Sequence, residues 1–278
     1  MAEEISGFIQ RNNIQELDAI CSHGHTIRHQ PEKEFTLQIG NLPRLAKLIS
    51  RTVVCDFRVQ DVKLGGQGAP LVPIGDRLLF PEYDFCLNLG GFANISSEIH
   101  GNRIAYDICP VNIVLNHYAQ KLGKEFDEDG NLAKFGELNL ILLQSLNDLP
   151  YYTEKPPKSL GLEWVNEHIF LLLDSFNLSS EDILRTFTEH IAIQLAVQFP
   201  KKASVLITGG GAYNSFLIER LKNLVSVEIT IPSPEIVEFK EALIFGLLGV
   251  LKLRGEINCL SSVTGASIDH SSGQVYTP

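Results

Sequence analysis

Short runs of β-branched and aromatic residues alternate along the chain with stretches whose apolar positions recur every three or four residues. "LDAICSHG" (17–24), "FTLQI" (35–39) and "TVVCDF" (52–57) predict strands, and "PRLAKLIS" (43–50) predicts a helix between the last two. "DVKLGGQGAPLVPIG" (61–75) has no apolar period and is rich in glycine and proline, so it predicts a loop. Three strands follow, "DFCLNLG" (84–90), "FANISSEI" (92–99) and "RIAYDIC" (103–109), whose close spacing, with Gly-Asn at 101–102, predicts hairpins. Helical spacing covers 112–122, 136–147, 163–174 and 180–199. The run Val205, Leu206, Ile207 predicts a buried strand entering Gly209, Gly210 and Gly211, then a helix on which Phe216, Leu217, Ile218 and Leu221 share a face. A strand at 225–231 and a helix at 235–253 complete the pattern, which predicts an α/β class. The meander opens a second domain, so the division falls at 1–83 and 84–278.

Composition narrows the function. A chain of 278 residues, 44% apolar and 20% charged, suits a globular protein of two domains with sizeable cores. A net charge of −10 argues against nucleic acid or an anionic membrane as the main partner. No apolar run approaches the ~18 residues needed to span a bilayer. "MAEEISGFIQRNN" is acidic and amphipathic, unlike a secretion signal. The five cysteines are odd in number and widely spaced, which fits a reducing cytoplasm.

The strand–glycine–helix stretch "VLITGGGAYNSFLIERL" invites a nucleotide, because helix N-terminal amides attract anions. It lacks the Lys and Ser/Thr of a phosphate-cradling P-loop, and Asn214 stands where a dinucleotide fingerprint needs its third glycine. Taken alone it reads as a tight turn. Gly90-Gly91 in "LNLGGFANIS" sits between two strands, where bare backbone either makes a simple hairpin turn or meets a phosphate. Asp107 in "YDICPVN" ends an apolar strand, five residues too early to cap the helix at Asn112. A carboxylate there suits the proton acceptor of a phosphoryl transfer. In "CSHGHTIRH", Cys21, His23 and His25 share a face in an extended run, but Gly24 breaks it and no second Cys/His pair follows, so no metal ligand is assigned. "FDEDGNLAKFGE" (126–137) carries Leu132 where a calcium loop needs glycine and reads as a solvated turn. Cys109 has no histidine nearby to activate it.

Nine stretches together resemble the anhydro-N-acetylmuramic acid kinases of the sugar kinase, heat-shock ATPase and actin superfamily. They are "SHGHTIRH", "FTLQIGN", "VVCDFRVQDVKLGGQGAPLVP", "LNLGGFANIS", "YDICPVN", "PPKSLGLEWVN", "ITGGGAYN", "EALIFGLL" and "INCLSSVTGA", in the family's order from residue 22 to 266. The resemblance implies an actin-like ATPase (ribonuclease H-like) fold of two α/β domains, ATP and Mg2+ as cofactors, and the 235–254 helix near the interdomain cleft. It implies that water opens the 1,6-anhydro ring while the γ-phosphoryl group goes to the freed sixth oxygen, in cell-wall recycling. Asp107 corresponds to the base. Gly90, Gly91 and Asn94 correspond to the second phosphate loop, and Gly209, Gly210, Gly211 and Asn214 to the nucleoside turn. Glu241, with His23 and Thr26, falls in the sugar site, and Arg28, Arg58 and Lys158 are candidate partners for the lactyl carboxylate on charge alone. The implied partners are a small anhydro amino sugar and, as an assembly, a second copy of the chain.

Three departures from the family's pattern stand out. His25 replaces a usual Gln, and "CPVN" replaces a "GPGN"-like stretch. The family's opening "SGTSLDG"-like phosphate turn has no counterpart, so the first domain is expected to lack its N-terminal strands and to leave residues 17–22 as a sheet edge. The alternative function is therefore a catalytically silent sugar- or nucleotide-binding remnant.

Overall fold

The computed structural model describes residues 1–33 and 35–278, with residue 32 described by its backbone alone. Its strands run in chain order β1 (Ile20–Cys21), β2 (His25–Gln30), β3 (Phe35–Ile39), β4 (Val53–Cys55), β5 (Phe85–Leu89), β6 (Phe92–Ile99), β7 (Asn102–Pro110), β8 (Ser204–Thr208), β9 (Glu228–Thr230) and β10 (Gln274–Tyr276). The chain divides into two compact units. The first holds Met1–Leu79, Ile99–Arg103 and Phe239–Pro278; the second holds Phe80–Glu98 and Ile104–Glu238. Among the described residues, no helix is long and apolar enough to cross a membrane.

In the second unit the sheet order is β7-β6-β5-β8-β9. β5 and β6 pair antiparallel, from Phe85↔Ser97 to Leu89↔Ala93, whereas β8 lies parallel to β5 and β9 parallel to β8. A meander leaves one edge of its first strand free, and the strand returning after a helical crossover takes it. This order is that of the ribonuclease H-like fold. His100 and Gly101, at φ 51° and 80°, form the two-residue turn between β6 and β7, the backbone a tight hairpin requires. Helices Asn112–Lys121, Ser180–Ala196 and Ser215–Leu224 cover the sheet and bury Leu115, Tyr118, Phe187, Ile191, Leu217 and Leu221 in one core. Ser179 starts the long helix by accepting the Asp182 N–H at 3.1 Å, a standard capping bond.

The first unit builds a small sheet in which β4 lies between parallel β1 and antiparallel β10. Val54 and Phe57 pack there with Ile244, Phe245, Leu248 and Leu251 of the Pro234–Leu253 helix. That packing corrects the expected division: residues from Phe239 onward belong with the first unit, not with everything after residue 83. The expected loop at 61–75 is also corrected. Short helices occupy Val59–Lys63 and Pro73–Leu79, each too short to show a period, the second beginning on a proline as N-termini allow. The Phe126–Glu137 stretch is not a solvated turn either. Asp127 is buried and accepts the Leu132 and Ala133 N–H groups at 2.7 and 2.9 Å, fixing the helix Asn131–Phe135.

Candidate active site

In the second unit, the Gly90-Gly91 turn joins β5 to β6. Its carbonyls are occupied: Gly91 accepts Val111 N–H at 2.8 Å and Ile113 N–H at 3.3 Å, and Gly90 accepts Asn112 N–H at 3.2 Å. The end of β7 and the first turn of helix Asn112–Lys121 are thus tied to the glycines. Of the turn's own amides, Gly90 N–H donates to Phe92 O at 3.1 Å. The exposed Gly91 N–H has no partner among the described residues and is free for an anion. A groove of about 470 Å3 opens beside it, lined by Asn112, Asn116, His117, Leu162 and Phe170. Asn94 is exposed on β6 opposite Asn88.

Asp107 lies within β7, three residues before its end, which corrects the strand-end placement. Val111 is four positions further on, so the turn's tether lies within about 14 Å of the Asp107 Cα even at full extension. Its backbone is clamped, with N–H donating to Lys158 O at 3.1 Å and O accepting Tyr151 OH at 2.7 Å. One carboxylate oxygen accepts the Leu160 N–H at 2.9 Å. Burial pushes the carboxyl above its usual range, against a smaller lowering by that amide. A carboxylate so raised accepts a proton more readily than a solvated one. Lys158 donates to Tyr151 O at 2.9 Å and lies 4.4 Å from that ring's centroid. Burial lowers its pKa. It therefore supports the segment that clamps Asp107.

The three glycines after β8 do different things. Gly209 is at φ 82°, and a Cβ there would meet Leu89 O at 2.8 Å. A Cβ on Gly211 would meet Leu89 Cβ at 2.7 Å. Those two are glycines because β8 passes close to the end of β5. Gly210 has neither constraint: its Cβ would have only Asn112 Nδ2 near, at 3.8 Å. Its bare face is open. Asn214 caps the next helix, accepting the Leu217 N–H at 2.9 Å, and is buried.

In the first unit His23, Arg58 and Glu241 come together. His23 Nε2 lies 2.7 Å from Arg58 Nη2, and its ring meets Phe245 edge-on at 4.4 Å. Arg58 Nη1 donates to Gly68 O at 2.7 Å, while its buried Nε has no partner among the described residues. Burial and then Arg58 lower the His23 pKa, so His23 accepts rather than donates toward the guanidinium. Burial lowers the Arg58 pKa as well, and the exposed Glu241 opposes the lowering at both groups. Thr26 joins through Gln38, whose Nε2 donates to Thr26 Oγ1 at 3.1 Å. Arg28 does not. The register shifts at Ile27, so Thr26 pairs with Gln38 and Arg28 with adjacent Leu37, which puts Thr26 and Arg28 on opposite faces. Sequence reasoning missed Gln38, although a polar residue inside "FTLQI" was its signal, and missed Tyr151, which acts through its hydroxyl, and Leu160, which acts through its backbone N–H. Cys21 and His23 are separated from β2 by Gly24 at φ 73°.

The sheet order and its helical cover make the second unit a ribonuclease H-like, actin-like α/β domain. A profile of the family described as anhydro-N-acetylmuramic acid kinase matches residues 1–278. The chain is 35% identical over 297 residues to the anhydro-N-acetylmuramic acid kinase of Pseudomonas savastanoi pv. phaseolicola, covering 99% of this chain and 80% of that one. It is 36% identical over 280 residues to the enzyme of that name from Vibrio cholerae, covering 95% and 76%. Among solved structures, the activator of the 2-hydroxyisocaproyl-CoA dehydratase from Clostridium difficile with bound ADPNP is similar at 17% identity and a TM-score of 0.39, over 66% of this chain and 63% of that one. The chain belongs to the anhydro-N-acetylmuramic acid kinase family.

Proposed function

We propose that the chain is an ATP-dependent kinase that converts 1,6-anhydro-N-acetylmuramic acid to N-acetylmuramic acid 6-phosphate. The observation that carries this reading is the family match over all 278 residues. The geometry supports separate roles for the two units. Asp107 takes the proton of a water whose oxygen bonds to C1; the C1–O6 bond breaks, and O6 receives the γ-phosphoryl group as ADP leaves. Gly91 N–H donates to a phosphate oxygen, and the open face of Gly210 meets the nucleoside. Mg2+ would accompany the triphosphate and offset the charge on its oxygens. His23, Arg58 and Glu241 hold the sugar, with the Arg58 guanidinium as partner of the lactyl carboxylate. Cysteines without disulfides fit a cytoplasmic enzyme. Release of ADP that requires the anhydro sugar tests the reading. Binding of both ligands with no sugar-dependent ADP would leave the silent-remnant alternative instead.

The glycines give an internal control. Gly210→Val is expected to leave the melting temperature within a few degrees, since the site has room, and to weaken ATP binding at least about tenfold, or ~1.4 kcal/mol. Gly209→Ala is expected to lower the melting temperature, through its positive φ and the Leu89 carbonyl. Equal thermal losses in both variants would show that Gly210 is needed for packing and not for the nucleotide.

A further inference from the structure

Inside the first unit, Asp61 meets two side chains from about 200 residues further along the chain. Asp61, Cys259 and His270 are 0%, 1% and 6% exposed, and one ligating atom of each lies within 4.8 Å of the others. Cys259 Sγ stands 3.1 Å from Asp61 Oδ1, and His270 Nε2 stands 3.7 Å from the same oxygen. The frame is fixed on all sides. Cys259 and His270 exchange backbone bonds at 3.1 Å in each direction, and the second Asp61 oxygen accepts the Gly68 N–H at 2.6 Å. His270 Nδ1 lies 3.1 Å from Ile268 O. A carbonyl can only accept, so Nδ1 carries a proton and Nε2 is the ring nitrogen turned toward Asp61. That Nε2 is buried, has no hydrogen-bond partner among the described residues, and lies 3.7 Å from a carboxylate oxygen. A cation shared between that nitrogen and the carboxylate satisfies both buried atoms, and the thiol beside them makes the set one that suits a metal ion.

We propose that Asp61, Cys259 and His270 bind a divalent transition-metal ion of the zinc class. Thiolate, imidazole and carboxylate together select such an ion over Mg2+ or Ca2+. Binding displaces the Cys259 thiol proton to solvent, and the two resulting negative charges match the ion's two positive ones. The hydroxyl of Thr264 adjoins the cluster, donating to Asp61 Oδ1 at 2.7 Å. The Ile268 carbonyl behind His270 orients the ring, as outer partners of metal-bound histidines do. The ion would join the 61–68 segment to the 259–270 segment. The first of these also supplies Gly68 O to Arg58.

The test uses the full chain, purified without chelator, incubated with equimolar Zn2+ and freed of excess ion. Elemental analysis is expected to find about one zinc per chain, and Co2+ in its place to give a thiolate-to-cobalt charge-transfer band. Cys259→Ser is expected to remove that band, and Cys259→Ser and His270→Gln each to lower zinc affinity at least about tenfold, with circular dichroism unchanged. The wild-type cobalt spectrum stands even if a variant folds poorly. A folded wild-type chain with under about a tenth of an equivalent of zinc and no band overturns the site, as does zinc binding undiminished in both variants.

Discussion

Asp107→Asn is expected to reduce sugar phosphorylation by about 100- to 10,000-fold, the usual contribution of a general base, equivalent to ~3–5.5 kcal/mol of barrier. The substitution keeps the side chain's shape and an oxygen able to accept the Leu160 N–H. It removes the group that can hold the water proton. The backbone clamps to Lys158 and Tyr151 do not involve the carboxyl, so ATP affinity is expected to stay within about threefold, or ~0.6 kcal/mol. Because burial raises the Asp107 pKa, the acid limb of the wild-type kcat/KM profile is expected above the ordinary aspartate value of ~3.9. A variant retaining more than about a tenth of the wild-type rate, a loss under ~1.4 kcal/mol, would place the base elsewhere.

Acid is expected to destabilise the second unit through His190. This ring is fully buried and its pKa is lowered to about 3. Its Nδ1 lies 2.7 Å from Asn147 Oδ1, which also accepts from Gln194 Nε2, so Nδ1 carries the proton and Nε2 accepts from Tyr152 OH at 2.9 Å. No lone pair remains for a second proton without breaking the Tyr152 bond. The sign follows from linkage. The folded pKa lies below the unfolded value of ~6.5, so the full stability is present above pH ~6.5 and falls as pH drops toward 3, by up to ~1.4 kcal/mol per unit. Between pH 6.5 and 4.5 the His190 contribution is therefore about 2–3 kcal/mol, a large share of a domain's stability. Chemical denaturation at several pH values checks this, with His190→Gln as comparison. Parallel pH dependences for the two chains would remove His190 from the account.

The strands of the second unit were legible because their residues are apolar and β-branched: β5, β6 and β8 fall within a residue or so of the expected bounds. β2 was not, since "HTIRHQ" is polar and gains its pairing from β3 through a bulge. The same bulge separates Thr26 from Arg28, which charge alone could not foresee. Gly209, Gly210 and Gly211 were visible as a turn, but only packing against Leu89 divides the two structural glycines from the open one. The affiliation of Phe239–Pro278 with the first unit depends on contacts between β10 and β4, more than 200 residues apart. Asp61 is similarly remote from Cys259 and His270, and no spacing rule joins them.

The most direct measurement is mass spectrometry of the product formed from ATP and 1,6-anhydro-N-acetylmuramic acid in water enriched in oxygen-18. The expected product is a sugar 6-phosphate with the heavy oxygen at C1 and none in the phosphate group, formed one for one with ADP. Inorganic phosphate carrying the label, with the anhydro sugar returned intact, would contradict the assigned function.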